Sequence, residues 1–205
     1  MTGKPGAHKA HLLFCCKPRV ANSIVADPLV ATLYTIGHST RTLDELVSAL
    51  KAHGIETLVD IRAFPMSRRL PHFNREALEN EMPKVGVRYI WMKALGGYRK
   101  AVRKDSPHTA LRNASFRNYA DYTLTPEFEH AIEELLRIAE QSRTAYMCAE
   151  RVYFRCHRMI VSDWLVAHGH EVVHIDAEGP TRPHKLMPEA RMIEGKMIYR
   201  GDQLF

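Results

Sequence analysis

TLYTIGHSTRTLDELVSALKAHGIETLVDIR, running from Thr32 to Arg62, decides the fold class. It opens on Leu33-Tyr34-Thr35-Ile36 and ends that run in Gly37-His38-Ser39. β-Branched and aromatic residues in a short apolar run suit a buried strand. Thr42 then stands three residues before Glu45, the spacing of a capping box, and Leu43, Leu46, Val47 and Leu50 recur at helical intervals up to His53-Gly54. Thr57-Leu58-Val59-Asp60-Ile61 follows as a second apolar strand with a carboxylate near its end. Two strands joined through a helix predict a right-handed crossover, and therefore parallel strands.

Working outward, residues 63–110 are irregular and rich in arginine. Within them a helix is expected from Asn74 to Glu81, a strand over Val87–Trp91 and a turn at Leu95-Gly96-Gly97-Tyr98. A segment this long and irregular is unusual unless it covers a site, so residues 92–118 are expected to form a flexible flap. A short helix is read at Phe116–Tyr122. Thr125-Pro126-Glu127 starts another, with Phe128, Ile132, Leu135, Leu136 and Ala139 on its apolar face. Thr144–Cys148 is a third strand, Cys156–His168 a helix closed by Gly169, and Glu171–Ile175 a fourth strand. Glu194-Gly195 between Arg191-Met192-Ile193 and Lys196–Tyr199 predicts a hairpin. The chain reads as α/β: a mainly parallel sheet with flanking helices, a Rossmann-like three-layer architecture. Residues 1–30, punctuated by Pro5, Pro18 and Pro28, are expected to be a partly ordered N-terminal extension, and residues 31–205 a single domain.

The chain has 205 residues, 45% hydrophobic and 25% charged, which is ordinary for a globular protein. No apolar run reaches the roughly 18–20 residues of a membrane helix. His8, Lys9 and Lys17 precede or interrupt the apolar stretch Leu12-Leu13-Phe14, so the N-terminus does not read as a signal peptide. No membrane partner and a cytoplasmic location are expected. Cys15 and Cys16 are adjacent, and Cys148 and Cys156 lie far away. This is no disulfide framework, and reduced thiols are expected. The net charge of +6 favours anionic partners, either nucleotide or nucleic acid; the alternative is a solvated basic surface. No cofactor and no protein partner is assigned.

Ligands of open parallel sheets bind beyond the carboxyl ends of the strands. Three segments place polar residues there: His38 with Ser39, Asp60 with Arg62, and Cys148 with Glu150. A fourth, Cys156-His157-Arg158, falls at the expected start of a helix, where unpaired N–H groups favour anions and lower a thiol pKa. Cys156 reads as a nucleophile, as a residue lining an anion pocket, or as a small buried residue. His38 reads as a general base or phosphate donor, or as a turn residue capping backbone. Arg62 suits bidentate binding of an anion, or an internal pair with Asp60. Glu150 reads as an acid or base, or as a carboxylate satisfying a helix start. A metal held by Cys148, Cys156 and His157 is set aside, because zinc ligands usually come in pairs two to four residues apart and the chain has no second pair. Trp91 and Trp164 read as core.

The order of these motifs resembles the DUF488 family: Tyr34-Thr-Ile-Gly-His-Ser39, Leu58-Val-Asp-Ile-Arg62 with Pro65 and Ser67-Arg68, Leu95-Gly-Gly97, Phe116-Arg-Asn-Tyr-Ala-Asp-Tyr122, Met147-Cys-Ala-Glu150 and Cys156-His-Arg158. The resemblance covers about residues 32–200. It implies a compact α/β fold and a shared polar pocket that includes Asp60, Arg62, Glu150, Cys156, His157 and Arg158, and it implies no reaction. Val152-Tyr153-Phe154-Arg155 stands where relatives commonly carry a proline-containing loop.

The functional expectation is an enzyme of undefined reaction acting on a phosphate-bearing substrate, a nucleotide or nucleic acid. Arg62 and Arg158 would hold the anion, with Ser39, Asp60, Cys148 and His157 lining the site. His38 or Glu150 would move a proton, and Cys156 would be nucleophile or neighbour of the developing charge. The alternative is a non-catalytic nucleotide or nucleic-acid binding module. A third reading takes Asp202-Gln203-Leu204-Phe205, which is similar to short clamp-binding peptides, as an adaptor tail.

Overall fold

The computed structural model describes residues 1–3, 30–176 and 181–201. The two strands of the opening stretch are β1 (Thr32–Gly37) and β2 (Thr57–Asp60), joined by α1 (Leu43–Ala52). Both halves of the capping box form: Thr42 Oγ1 accepts from the Glu45 N–H, and Glu45 Oε2 accepts from the Thr42 N–H. The remaining elements are α2 (Arg75–Lys84), β3 (Arg88–Trp91), α3 (Ala114–Tyr122), α4 (Pro126–Gln141), β4 (Thr144–Cys148), α5 (Arg158–Ala167), β5 (Glu171–His174), β6 (Arg182–Pro183), β7 (Ala190–Ile193) and β8 (Lys196–Tyr199).

The main sheet has the order β3-β2-β4-β1-β5-β6. Its first five strands are parallel, and β6 alone runs antiparallel to β5. β1 and β2 are parallel as expected, with β4 inserted between them. Every residue of β2 and β4 is buried, which is why these strands read as near-continuous apolar runs. Alternate side chains serve opposite faces. Ile36, Leu58 and Met147 meet Leu46 and Leu50 of α1 and Leu78 and Met82 of α2 on one face. Leu33, Val59 and Tyr146 meet Tyr119, Phe128, Ile132 and Ile160 of α3, α4 and α5 on the other. The three layers follow from that division.

Three sequence expectations need correction. α2 continues to Lys84 through Pro83, because Val85 and Gly86 N–H groups take up the Met82 and Pro83 carbonyls at the helix end. α5 starts at Arg158, not Cys156: a 3₁₀ turn over Tyr153–Arg155 precedes it, and Cys156 is extended at φ −133°. Residues 92–118 do not form a detached flap. Leu95, His108 and Leu111 are buried, Tyr119 and Tyr122 hydroxyls donate to the Leu95 and Ala94 carbonyls at 2.8 Å, and the exposed runs longer than two residues are confined to residues 100–105 and 112–115. Lys93, Lys100, Arg103, Lys104 and Arg112 of this stretch are exposed.

The hairpin is present, with Glu194 and Gly195 both in the left-handed region at φ 50° and 73°, as a tight two-residue turn needs. Met197 and Tyr199 pack into the α3–α5 core. Trp91 and Trp164 are both partly buried, Trp164 against that core. No helix among the described residues is long and apolar enough to cross a membrane. Cys15, Cys16, most of the N-terminal extension and Asp202–Phe205 lie outside the described residues.

Candidate functional site

β1 and β2 lead into helices on one face of the sheet, whereas β4, lying between them, leads into α5 on the other. Chains leaving adjacent strands toward opposite faces open a crevice at the carboxyl ends. A cavity of about 440 Å³ occupies that position, lined among others by His38, Ser39, Arg62, Ser67, Glu150 and Arg155. The β1–β4 ladder runs into it, with His38 N–H on the Cys148 carbonyl and Ser39 N–H on the Ala149 carbonyl, both at 2.9 Å. Gly37 permits this approach, since a Cβ there would lie 1.9 Å from the Glu150 carbonyl oxygen. Ser39 sits at φ 52°, an uncommon conformation for a residue with a side chain.

The residues expected to share one pocket divide between the two faces of the sheet. Asp60, Arg62 and His38 form a buried group on the α1–α2 side. Arg62 Nε bonds both Asp60 oxygens at 2.9 and 3.0 Å, and its Nη2 also donates to the Phe73 carbonyl at 2.8 Å. Tyr89 donates to Asp60 Oδ2 at 2.7 Å. Burial opposes the Arg62 charge, but the Asp60 carboxylate outweighs it and raises the guanidinium pKa. His38 donates from Nδ1 to the Ser39 carbonyl at 2.9 Å, so its Nε2 lone pair accepts from Arg62 Nη1 at 3.2 Å. Burial, then the Arg62 charge, lowers the His38 pKa to about 4. The internal-pair reading of Asp60 and Arg62 is the one the geometry realises.

Cys148, Cys156 and His157 form the second group, on the α3–α5 side, and do not line the cavity. His157 Nε2 is 3.1 Å from the Ile61 carbonyl, so it carries the proton and leaves Nδ1 facing both sulfurs, at 3.5 Å from Cys156 and 3.9 Å from Cys148. The hydrogen bond from Cys148 holds the Cys156 thiol well below its ordinary range despite burial, with His157 and Arg158 acting the same way. The same bond and burial push Cys148 well up. Both thiols are free and buried. The end of β4 and the turn before α5 bring Cys148, Cys156 and His157 together in space, with no second ligand pair beside them among the described residues.

Arg158, expected to hold an anion, is placed apart from the crevice cavity. It is 1% exposed, and its guanidinium donates to Thr35 Oγ1 at 3.1 Å, to the Arg151 carbonyl at 3.2 Å and to the Glu150 carbonyl. It ties the loop after β4 to β1 and does not line the crevice cavity. The exposed charges at the crevice belong to Glu150, Arg151 and Arg155.

The profile of the family described as "Domain of unknown function DUF488" matches residues 42–165, more than half of the chain. The chain belongs to the DUF488 family. No curated protein and no solved structure matches it. The DUF488 match spans Asp60, Arg62, Glu150, Cys156, His157 and Arg158, whereas His38 and Ser39 precede it.

In this DUF488 chain, sequence reasoning gave no site role to the residues that hold these groups in place. Tyr89 completes the Asp60 shell, and Gly97 lies so close to His157 that a Cβ would be 2.4 Å from Nδ1. Asp163, on buried α5, accepts from His184 Nε2 at 2.8 Å and from the Tyr199 hydroxyl at 2.8 Å; His184 in turn is 2.9 Å from His174. His174 alternates with Val172 on β5, and that period-two spacing was the only sequence signal of its burial.

Proposed function

We propose that this DUF488 chain is an enzyme that acts on a phosphate-bearing substrate, a nucleotide or nucleic acid, in the crevice between the ends of β1 and β4. One observation carries the reading: the cavity sits where the connections of adjacent parallel strands diverge, and Arg155, Glu150, Ser39 and Ser67 line it beside apolar groups such as Phe64 and Met66. Arg155, with the Ser39 and Ser67 hydroxyls, binds phosphate. Glu150, exposed at the rim, moves the proton. His38, neutral and tied to Arg62, shapes the floor, and the buried Arg62–Asp60 pair fixes the β2 end. Cys156 is not the nucleophile of this reaction, because it lies on the other side of the sheet end. The net charge of +6 supports an anionic substrate, and the reduced thiols suit the cytoplasm.

The test is binding and turnover with a panel of mononucleotides and short single-stranded oligonucleotides at low salt. Arg155→Ala should weaken the best ligand by about tenfold, as loss of one charge-assisted hydrogen bond does. Glu150→Gln should abolish turnover and keep binding. Binding that survives with no turnover by the unmodified chain makes the protein a recognition module, and absence of binding to every phosphate-bearing probe overturns the reading.

A further inference from the structure

We propose that Cys148, Cys156 and His157 hold one borderline-soft divalent metal ion of the zinc class, with two thiolates and one imidazole as protein ligands and one coordination position left for a non-protein ligand. This site lies on the opposite side of the sheet end from the cavity and does not depend on the identity of the substrate there.

The ligand atoms stand at coordination spacing. Bonds of about 2.3 Å to sulfur and about 2.0 Å to nitrogen at tetrahedral angles require S···N edges of about 3.6 Å and S···S edges of about 3.8 Å. The observed S···N separations are 3.5 and 3.9 Å, and all three ligand atoms lie within 4.8 Å of one another. An ion can therefore reach all three with sub-ångström adjustments.

The imidazole is prepared for the same task. A metal-bound histidine typically donates its second ring N–H to a carbonyl or carboxylate, which fixes tautomer and ring plane. Here Nε2 makes that bond to the Ile61 carbonyl, at 3.1 Å. Gly97 packs flat against the ring: a Cβ at 97 would lie 2.4 Å from Nδ1, 2.7 Å from Cγ and 2.9 Å from Cε1. The Gly97 backbone is not in the left-handed region, so no turn demands glycine at this position; the imidazole face does. Tyr119 closes a third side, edge-on at 5.0 Å between centroids. The ring is thus held from three directions with its lone pair aimed between two sulfurs. The ligands come from β4 and from the turn into α5, both seated in the main core, which favours a preformed site.

The set also selects the metal class. Two sulfurs and one nitrogen suit zinc and its analogues cobalt and cadmium and disfavour magnesium and calcium, which take oxygen ligands.

The experiment uses the full chain, reduced and anaerobic, titrated with cobalt(II) and then with zinc(II) in competition with a chromophoric chelator. The expected result is about one equivalent of cobalt, a thiolate-to-cobalt charge-transfer band in the near ultraviolet, visible bands of tetrahedral intensity, and displacement by zinc. Cys148→Ser and Cys156→Ser should each weaken zinc binding by about 100-fold or more, while the Cys15→Ser/Cys16→Ser double variant should leave it unchanged. The proposal is overturned if the folded, reduced chain takes up less than about 0.1 equivalent without a thiolate-to-cobalt band. It is equally overturned if uptake depends on Cys15 and Cys16 and persists in Cys156→Ser. Should the serine variants not fold, the cobalt spectrum of the unmodified chain decides alone. Nucleotide binding is measured on the same samples, so failure of the metal site and failure of the substrate reading are separately visible.

Discussion

His38 Nε2 accepts a hydrogen bond from Arg62 Nη1 at 3.2 Å, and burial together with this contact keeps the histidine neutral beside the Arg62–Asp60 pair. Protonating His38 would set two positive groups against each other in a buried place. Burial first, and the Arg62 charge second, lower its pKa to about 4, against 6.5 when unfolded. Between those values the unfolded chain binds a proton that the folded chain does not. The contribution to stability is therefore full above about pH 6.5 and is lost as pH falls toward 4, at about 1.4 kcal/mol per pH unit for one such group. His108, lowered to about 4, and His174, lowered to about 3, act in the same direction. Urea unfolding at pH 7, 6 and 5 should show this decline, and His38→Asn should make it shallower by about one group's share. An identical slope in the variant would exclude His38 as a source.

Arg158 and Arg155 stand three residues apart and should behave oppositely. Arg158 is buried and serves Thr35, Glu150 and Arg151. Removing it leaves buried acceptors unsatisfied and opens a large void, so Arg158→Ala should cost about 3 kcal/mol or more. Arg155 is exposed, and Arg155→Ala should change stability by less than about 0.5 kcal/mol while weakening phosphate ligands. Thermal melts and ligand titrations of the two variants side by side check this. A stable Arg158→Ala protein with weakened ligand binding would return Arg158 to the ligand site.

This contrast marks where the sequence stops being informative. The opening stretch yielded β1, α1 and β2 because apolar periodicity and the Thr42–Glu45 cap are local signals. The crossing order β2-β4-β1-β5 is not local, yet its consequence, strand ends gathered at one edge, was readable from His38, Asp60 and Cys148 each ending an apolar run. What spacing could not disclose is side: Asp60 and Cys148 lie on neighbouring strands but on opposite faces. It also could not disclose that Arg158 is spent on backbone carbonyls, since a buried arginine and an anion-binding arginine look alike in sequence. Residues 92–118 misled for a related reason, because their burial is carried by tyrosine-to-carbonyl bonds and a few apolar side chains with no period.

Gly97 and His157 give a prediction on packing. A methyl group at 97 would lie 2.4 Å from His157 Nδ1, so either the 95–98 backbone or the imidazole must move. Gly97→Ala should destabilise the fold by about 1–3 kcal/mol, the usual cost of overpacking. Because the displaced ring also supports the Cys156 thiolate, the titration of that thiol should move up toward its ordinary value. Thiolate absorbance or alkylation rate against pH, in a Cys15→Ser/Cys16→Ser background, reads the second effect. A destabilised variant with an unchanged thiol titration would mean that Gly97 serves packing alone.

Asp163 ties the C-terminal hairpin to the sheet. Its Oδ1 accepts from His184 Nε2 and from the Met187 N–H, and its Oδ2 accepts from Tyr199 of β8. The chain of protons is fixed by that carboxylate. His184 must carry its hydrogen on Nε2, so its Nδ1 accepts from His174 Nε2, leaving His174 Nδ1 without a partner among the described residues, beneath the stacked Tyr153 ring. Asp163→Asn preserves shape but replaces one acceptor oxygen by a donor NH₂, which cannot receive both His184 and Tyr199. The expected cost is about 1–3 kcal/mol, that of a buried polar group left without its partner. The loss should be concentrated where the bonds lead. Hydrogen exchange by mass spectrometry should show faster exchange in peptides covering β7 and β8, with β1, β2 and β4 still protected. Uniform loss of protection across the sheet, or none in the hairpin, would show that Asp163 does not hold this element.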